Sequence, residues 1–198
     1  MVRLVITGSP GVGKTTIAMR LSKVYGAPLI DLYDVLRPIL KWDPDLQTNY
    51  VIDEGKAREL INRELIGMDS YIIDTVAIDL LDRSLIDWCI VLRLNPVQLM
   101  SRLMLRGWPY CKVVENVLAE IVGSSVSMAL NVFGRDKVLE IDTTNRGVDD
   151  IINNIVSLVN SGKPTIGVVD WLDVLDTDFL VRLSNEMSRC LALSGRYT

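Results

Sequence analysis

Residues 8–15 constrain the fold of this chain more than any other part of the sequence. They read Gly-Ser-Pro-Gly-Val-Gly-Lys-Thr and lie between an apolar run, residues 2–7, and a segment with helical spacing of apolar residues, 17–25. A Gly-rich loop between a strand and a helix is typical of a phosphate-binding loop (P-loop), where backbone N–H groups and the helix N-terminus converge on one anion. The sequence therefore predicts an α/β fold that binds a nucleoside triphosphate.

The side chains of this loop have separate predicted roles. Lys14 can reach the terminal phosphates, and the Thr15 hydroxyl can ligate a Mg²⁺ ion that bridges them. The glycines let the backbone approach the anion closely. We therefore expect the nucleotide phosphates to be bound by Gly11, Gly13, Lys14, Thr15 and Thr16.

Apolar runs alternate with helical segments along the first 160 residues, which predicts a parallel sheet covered by helices on both faces. The predicted strands are residues 2–7, 27–32, 70–74, 88–94 and 137–143. The predicted helices are residues 17–25, 33–41, 55–65, 96–106, 112–131 and 148–160. Ligands of such sheets lie at the carboxyl ends of the strands. The chemistry is therefore expected at residues 8–15, 31–37, 74–76, 95 and 142–145.

Residues 161–164 interrupt this pattern and divide the chain into a predicted main domain, 1–162, and a C-terminal extension, 163–198. Apolar residues recur in the extension at spacings of three and four, which predicts an amphipathic helix or a helix pair. Asp176 or Thr177 could cap the second helix. Two interpretations stay open: the apolar stripe packs back on the main domain, or it forms an arm that binds a partner or a second copy.

The composition argues against several classes of function. A net charge of −4 provides no basic field for nucleic acid, and no apolar run is long enough to span a bilayer. The early start of the P-loop strand argues against a signal peptide. Three scattered cysteines, Cys89, Cys111 and Cys190, suggest reduced thiols and a cytoplasmic protein. Because the chain has no histidine, no imidazole base or metal ligand is available.

The sequence resembles the atypical adenylate kinases of archaea and eukaryotic nuclei, a family that includes the coilin-interacting nuclear ATPase of animals. Beyond residues 5–16, the resemblance rests on residues 34–37, 51–54, 72–74, 91–93, 102–108, 115–121 and 140–144. The Arg-Gly-aromatic triplet at 106–108, followed by Glu-Asn-x-x-x-Glu at 115–120, is more particular to the family than the loop. The resemblance implies an α/β P-loop nucleoside monophosphate (NMP) kinase fold with an NMP-binding segment near 31–54 and a lid near 105–115.

The resemblance also implies where the phosphate acceptor binds. Arg37 matches the arginine that holds the acceptor monophosphate, a role that suits the two parallel hydrogen bonds of a guanidinium. Asp34 lies one helical turn earlier and could orient Arg37 or touch the acceptor. Asp53 lies in the segment expected to close the acceptor pocket, although it could instead only cap the helix at 55–65.

Further site residues follow from the lid and the strand ends. Arg106 matches the lid arginine that clamps the transferring phosphates, and Thr143 lies where adenine contacts are expected, largely through backbone groups. Asp74, at the end of a buried strand beside the P-loop, matches the acid that orders the water shell of Mg²⁺. Lys14, Asp74 and Arg106 are therefore the predicted catalytic residues, with Thr15 and Asp74 at the metal.

The chain departs from the family at one position. The family pattern at this strand is Asp-x-His, and its histidine is implicated in ATP hydrolysis. Here the sequence is Asp74-Thr75-Val76. Because valine cannot position a water molecule, we expect ATP hydrolysis to be weak, while transfer to a bound acceptor needs no protein base.

Three hypotheses about function follow. The resemblance implies a Mg²⁺-dependent adenylate kinase that converts ATP and AMP to two ADP, with weak ATPase activity. It also implies a role in maturation of the small ribosomal subunit and rRNA processing through contact with a ribosomal protein, so an assembly factor gated by ATP or ADP is the alternative. A kinase of a small molecule other than a nucleotide is the third hypothesis, because one fold supports many acceptors.

Overall fold

Five parallel strands form the central sheet of a computed structural model that describes residues 1–44 and 48–193. The strand order is β2-β5-β1-β6-β7. These strands are β1 (Arg3–Thr7), β2 (Leu29–Asp31), β5 (Tyr71–Asp74), β6 (Trp88–Arg93) and β7 (Val138–Asp142). Two further strands, β3 (Leu40–Asp43) and β4 (Thr48–Val51), pair antiparallel in a separate hairpin. The predicted parallel α/β sheet is confirmed.

Helices connect the parallel strands. The first five are α1 (Lys14–Tyr25), α2 (Leu32–Leu36), α3 (Glu54–Leu65), α4 (Pro96–Leu105) and α5 (Tyr110–Ile121). The remaining helices in the described part of the chain are α6 (Ser124–Phe133), α7 (Val148–Ser161), α8 (Trp171–Val174) and α9 (Thr177–Leu193). Short 3₁₀ turns occupy Arg37–Ile39, Ile78–Leu80, Arg83–Leu85 and Arg135–Lys137.

The sheet is buried on both faces, as the nearly continuous apolar strands predict. In β1, Leu4 and Ile6 belong to one apolar cluster and Val5 to the other, and all three side chains are 0% exposed. The same alternation separates Ile72 from Ile73 in β5. Helices therefore cover both faces, and the carboxyl ends of the strands are the edge where a ligand can reach the sheet.

Two predicted helices are wrong in part. Residues 33–41 do not form one helix, because α2 ends at Leu36, a 3₁₀ turn follows and β3 begins at Leu40. Trp42 and Asn49 pair across the hairpin, whose residues 45–47 lie outside the described part of the chain. The predicted helix at 112–131 is two helices, because Gly123 adopts a left-handed conformation with φ of 66° between them.

Across the described ranges, no single helix is long and apolar enough to cross a bilayer. Only α5 and α6 taken together pass that test by length and composition, and they are bent by 57° relative to each other. Their apolar side chains are needed for the core: Val117 on α5 and Phe133 on α6 are both 0% exposed.

The C-terminal extension packs on the sheet domain. Trp171 on α8 and Leu183 on α9 are each 3% exposed and belong to the same apolar cluster as the P-loop strand. The Asp176 side chain accepts hydrogen bonds from the backbone of residues 178 and 179 and so caps α9, one of the two predicted caps. The division of the chain at residue 162 stays a prediction, and residues 194–198 lie outside the described part.

A disulfide bond joins Cys111, on the first turn of α5, to Cys190 on α9. The prediction of three reduced thiols is therefore wrong for two of them. Cys89 is free and buried in β6, and burial raises the pKa of its thiol. The cytoplasmic location stays a prediction, but the paired cysteines no longer support it.

We expect reduction of this disulfide to destabilise the protein by about 2–4 kcal/mol, because the bond closes a long loop in the unfolded chain. The two cysteines are 79 residues apart in sequence. Urea unfolding with and without dithiothreitol measures the change. The variant Cys190→Ser is the control, because its stability should not respond to reductant. Equal stability of the oxidised and reduced wild-type protein would contradict the prediction.

Candidate functional site

The P-loop lies at the carboxyl end of β1 and leads directly into α1. Gly11 and Gly13 have φ of 92° and 111°, which side chains other than glycine rarely tolerate. A Cβ atom at Gly11 would also come within 2.9 Å of the Leu103 side chain on α4. Thr15 and Thr16 are exposed on the first turn of α1. The loop therefore has the open backbone and free helix N-terminus that an anion site requires.

Lys14 is held against the loop backbone. Its Nζ donates hydrogen bonds to the carbonyl oxygens of Gly8 at 2.9 Å and Ser9 at 3.2 Å. Burial lowers the Lys14 pKa to about 8. The negative charges of Asp74 and Glu120 oppose this shift, whereas the positive charge of Arg106 adds to it. A bound anion would restore the preference of Lys14 for the charged form.

Asp74 ends β5 beside the loop, where its Oδ2 accepts a hydrogen bond from Thr15 Oγ1 at 2.6 Å. Burial raises the Asp74 pKa, and the neighbouring Asp31, its register partner on β2, adds to that shift. A hydroxyl and a carboxylate are oxygen donors that Mg²⁺ prefers, and Mg²⁺ keeps several waters when it binds nucleotides. The Thr15–Asp74 pair therefore fits a Mg²⁺ ion that is held mainly by phosphates and water. No cluster of three metal-ligating side chains occurs among the described residues.

The predicted lid is a short break between two helices. Helix α4 ends at Leu105, Gly107 follows with φ of 70°, and α5 begins after Pro109. Arg106 is exposed at this break, yet its charge contributes to the low Lys14 pKa. Arg102, on the last turn of α4, points its Nη1 at the Gly11 carbonyl, 3.5 Å away. The structure thus brings Arg102 of α4 into contact with the P-loop and places the charge of the lid residue Arg106 near enough to act on Lys14.

The predicted acceptor residues lie between the end of β2 and the start of α3. Arg37 donates a hydrogen bond to Asp34, as the one-turn spacing predicts, and lies 5.9 Å from the centre of the Tyr33 ring. The Arg37 side chain is 69% exposed, so an anion can reach it. Asp53 caps α3 by accepting a hydrogen bond from the Lys56 backbone at 3.0 Å. The capping role of Asp53 is shown, and its contact with an acceptor stays a prediction.

Two other positions that the sequence singles out, Thr143 and Val76, differ in exposure. Thr143 is 6% exposed, and its hydroxyl and backbone N–H both donate to the Arg93 carbonyl. Its adenine contact stays a prediction. Val76 is 54% exposed beyond β5, and the preceding Thr75 hydroxyl accepts from the Ala77 backbone.

Sequence reasoning missed a buried charged cluster behind the P-loop. Arg93 on β6, Glu120 on α5 and Glu140 on β7 are 4%, 1% and 2% exposed. Glu120 accepts a hydrogen bond from the Ser9 hydroxyl of the loop at 2.7 Å. The signal was present in the sequence, because Glu120 interrupts the apolar stripe of α5 and Arg93 interrupts the apolar strand β6.

Comparisons with known proteins agree with this geometry. A family profile described as "AAA domain" matches residues 4–123. Proteins named "Putative adenylate kinase" are similar over most of their length. The relative from Methanocaldococcus jannaschii is 37% identical over 174 residues, which cover 86% of this chain and 93% of the relative. The relative from Sulfurisphaera tokodaii is 36% identical over 189 residues, which cover 93% of this chain and 94% of the relative. The chain belongs to this P-loop kinase family of archaeal proteins.

Solved structures share the fold at low sequence identity. A gluconokinase from Sinorhizobium meliloti has a TM-score of 0.53 at 14% identity, covering 81% of this chain and 92% of its own. A shikimate kinase from Bacteroides thetaiotaomicron has a TM-score of 0.52 at 13% identity, covering 80% and 98%. These likenesses concern the fold alone, and they confirm the predicted α/β P-loop NMP-kinase-like architecture.

Proposed function

We propose that this protein is a Mg²⁺-dependent adenylate kinase, which transfers the γ-phosphoryl group of ATP to AMP and forms two molecules of ADP. The observation that carries the proposal is the placement of Lys14 and Asp74 at the P-loop, where Lys14 contacts the loop carbonyls, Asp74 contacts Thr15, and the charges of Asp74 and Arg106 both act on Lys14. The names of the archaeal relatives support AMP as the acceptor.

The donor side needs cations and backbone donors more than covalent chemistry. The loop N–H groups and Lys14 hold the β- and γ-phosphates of ATP. Thr15 and Asp74 would hold Mg²⁺, which when bound neutralises charge on those phosphates. Arg106 lies on a break between helices, so it can approach as the lid closes and stabilise the transition state more than the ground state.

The acceptor side uses the exposed Arg37. Its guanidinium binds the α-phosphate of AMP while Asp34 fixes its orientation. Trp42 of the β3–β4 hairpin and Trp108 of the lid line one cavity of about 610 Å³, so the acceptor segment faces the lid across a space open to a ligand. In-line transfer then depends on alignment of the two phosphates, with no protein base required.

A panel of acceptors tests this proposal. ADP formation from ATP and Mg²⁺ is measured by a coupled assay with AMP, CMP, UMP, gluconate or shikimate. We expect AMP to give the highest kcat/KM. Faster turnover with a sugar acid or shikimate would favour a small-molecule kinase instead.

An assembly factor whose attachment is gated by nucleotide is the second candidate, and the resemblance to the nuclear branch of the family motivates it. One observation favours it: Leu172, Val174 and Val181 of the extension are each more than half exposed. Neighbouring acidic residues, including Asp173 and Asp178, would suit a basic ribosomal protein. ADP-dependent binding of such a protein, without turnover on AMP, would support this candidate, and any role in rRNA processing would follow from it.

Val76 predicts slow hydrolysis. Without acceptor, we expect ATP hydrolysis at least about a hundredfold slower than transfer to AMP, because no side chain at this position orders the attacking water. The variant Val76→His should raise hydrolysis about tenfold or more and leave AMP transfer nearly unchanged. Phosphate release measures the first rate, and ADP formation measures the second.

The control is Val181→His, which adds the same imidazole at an equally exposed valine far along the sequence. It should leave hydrolysis unchanged. If a folded Val76→His variant hydrolyses ATP no faster than wild type, another group places the water, and Thr75 is the first to replace.

The low Lys14 pKa predicts pH-dependent binding. Because phosphate binding favours the ammonium form, affinity for MgATP should fall as the pH rises through about 8. Between about pH 7 and about pH 9 the charged fraction of free Lys14 falls about tenfold, and the Kd should rise by about that factor. Calorimetric titration measures it, with Lys14→Ala as the pH-insensitive control. A constant wild-type Kd would contradict the prediction.

A further inference from the structure

The buried charged cluster connects three parts of the fold. Arg93 donates through Nε to Glu120 Oε1 at 2.7 Å and through Nη1 to Glu140. The second oxygen of Glu140 accepts from the backbone N–H groups of Gly167 and Val168 at 2.6 and 3.1 Å. Glu140 therefore ties the sheet to the C-terminal extension.

Glu120 has a different set of partners. Its Oε2 accepts from the Ser9 hydroxyl at 2.7 Å, and its Oε1 accepts from the indole Nε1 of Trp171 at 3.0 Å. The Ser9 carbonyl in turn accepts a hydrogen bond from Lys14 Nζ. The Glu120 carboxylate thus contacts both the C-terminal extension and Ser9, the loop residue whose carbonyl binds Lys14.

If Glu120 had a purely structural role, its ion pair with Arg93 would be sufficient. One feature of Glu120 goes beyond it. Its Oε2 accepts the hydrogen bond of the Ser9 hydroxyl, and Ser9 is a loop residue that is only 4% exposed. The loop backbone therefore cannot shift at Ser9 without leaving a buried polar group unpaired.

We propose that Glu120 is a positioning residue for the P-loop and that Trp171 couples its orientation to the C-terminal extension, so that docking of the extension sets nucleotide affinity. The proposal rests on the nucleotide binding in the proposed function, and not on the choice of acceptor. Binding of MgADP without any acceptor therefore tests it even if AMP is not phosphorylated.

Two isosteric variants separate positioning from stability. Glu120→Gln and Glu140→Gln each remove one buried charge paired with Arg93, but only Glu120 contacts the loop. We expect the Kd for MgADP to rise about tenfold in Glu120→Gln, a size typical of residues that orient a ligand-binding group. Glu140→Gln should change it by less than about threefold although it lowers the melting temperature. Equal changes in the two folded variants, or no change in Glu120→Gln, would overturn the proposal.

A second pair of variants tests the coupling without altering Glu120. Ser9→Ala removes the loop hydroxyl, and Trp171→Phe removes the indole donor while keeping an aromatic ring beside Arg93. The two side chains share Glu120 as hydrogen-bond partner. Each variant should weaken MgADP binding, and the double variant should weaken it by less than the product of the two factors. Independent factors, or a Trp171→Phe variant with wild-type affinity, would overturn the coupling.

Discussion

Replacement of Lys14 by alanine should slow phosphoryl transfer about a thousandfold or more, because the group that neutralises charge on the transferring phosphates is lost. ATP binding should weaken at least about tenfold, as expected for a lost charge-assisted hydrogen bond. The fold should persist. Burial already disfavours the ammonium form in the free protein, so its removal takes away an unfavourable charge together with its two bonds to loop carbonyls.

Lys23→Ala is the matched control, because Lys23 is an exposed lysine on the last turn of the same helix. It should leave both ATP binding and turnover unchanged. Circular dichroism and calorimetric titration follow fold and affinity in the two variants. A Lys14→Ala variant that binds ATP and turns over like wild type would remove the basis for a phosphate site in this loop.

Alanine variants of Arg37 and Arg106 should lose activity for different reasons. Arg106→Ala should lower kcat about a thousandfold, since a lid arginine acts chiefly in the transition state. Arg37→Ala should instead raise the KM for AMP about tenfold or more, because its guanidinium binds the acceptor phosphate before transfer. Initial rates with varied AMP at saturating ATP separate the two effects.

Each arginine has a control. Arg63 is exposed and paired with Glu59 one turn earlier, much as Arg37 is paired with Asp34, so Arg63→Ala should leave the KM unchanged. Arg106→Lys keeps the charge and loses the planar fork, so it should restore part of kcat. If neither alanine variant alters AMP-dependent ADP formation, the two arginines do not have the roles assigned to them.

Local patterns in the sequence predicted the parts of the site that depend on neighbouring residues. The P-loop, the acidic end of β5 and the pairing of Asp34 with Arg37 each involve residues close in sequence or at strand ends, where the parallel sheet determines position. The hairpin was missed because residues 40–43 carry few turn signals and are separated from the short helix α2 by only one 3₁₀ turn. The break at Gly123 was missed because apolar spacing continues through it.

Contacts between distant segments could not be read from the sequence. The disulfide of Cys111 and Cys190 depends on where α9 packs, which no local pattern specifies. The same holds for Trp171, whose contact with Glu120 crosses 51 positions. A charged residue inside an apolar stripe indicates that it has a buried partner, but only the fold shows which residue that partner is.

The fate of labelled AMP tests the central claim most directly. The protein is incubated with ATP, Mg²⁺ and AMP labelled in its adenine ring, and the nucleotides are separated over time. An adenylate kinase must convert one labelled AMP to labelled ADP for each ATP consumed, with no release of inorganic phosphate beyond the slow hydrolysis. Consumption of ATP with the label still in AMP, and phosphate released in equal amount, would contradict the proposed function.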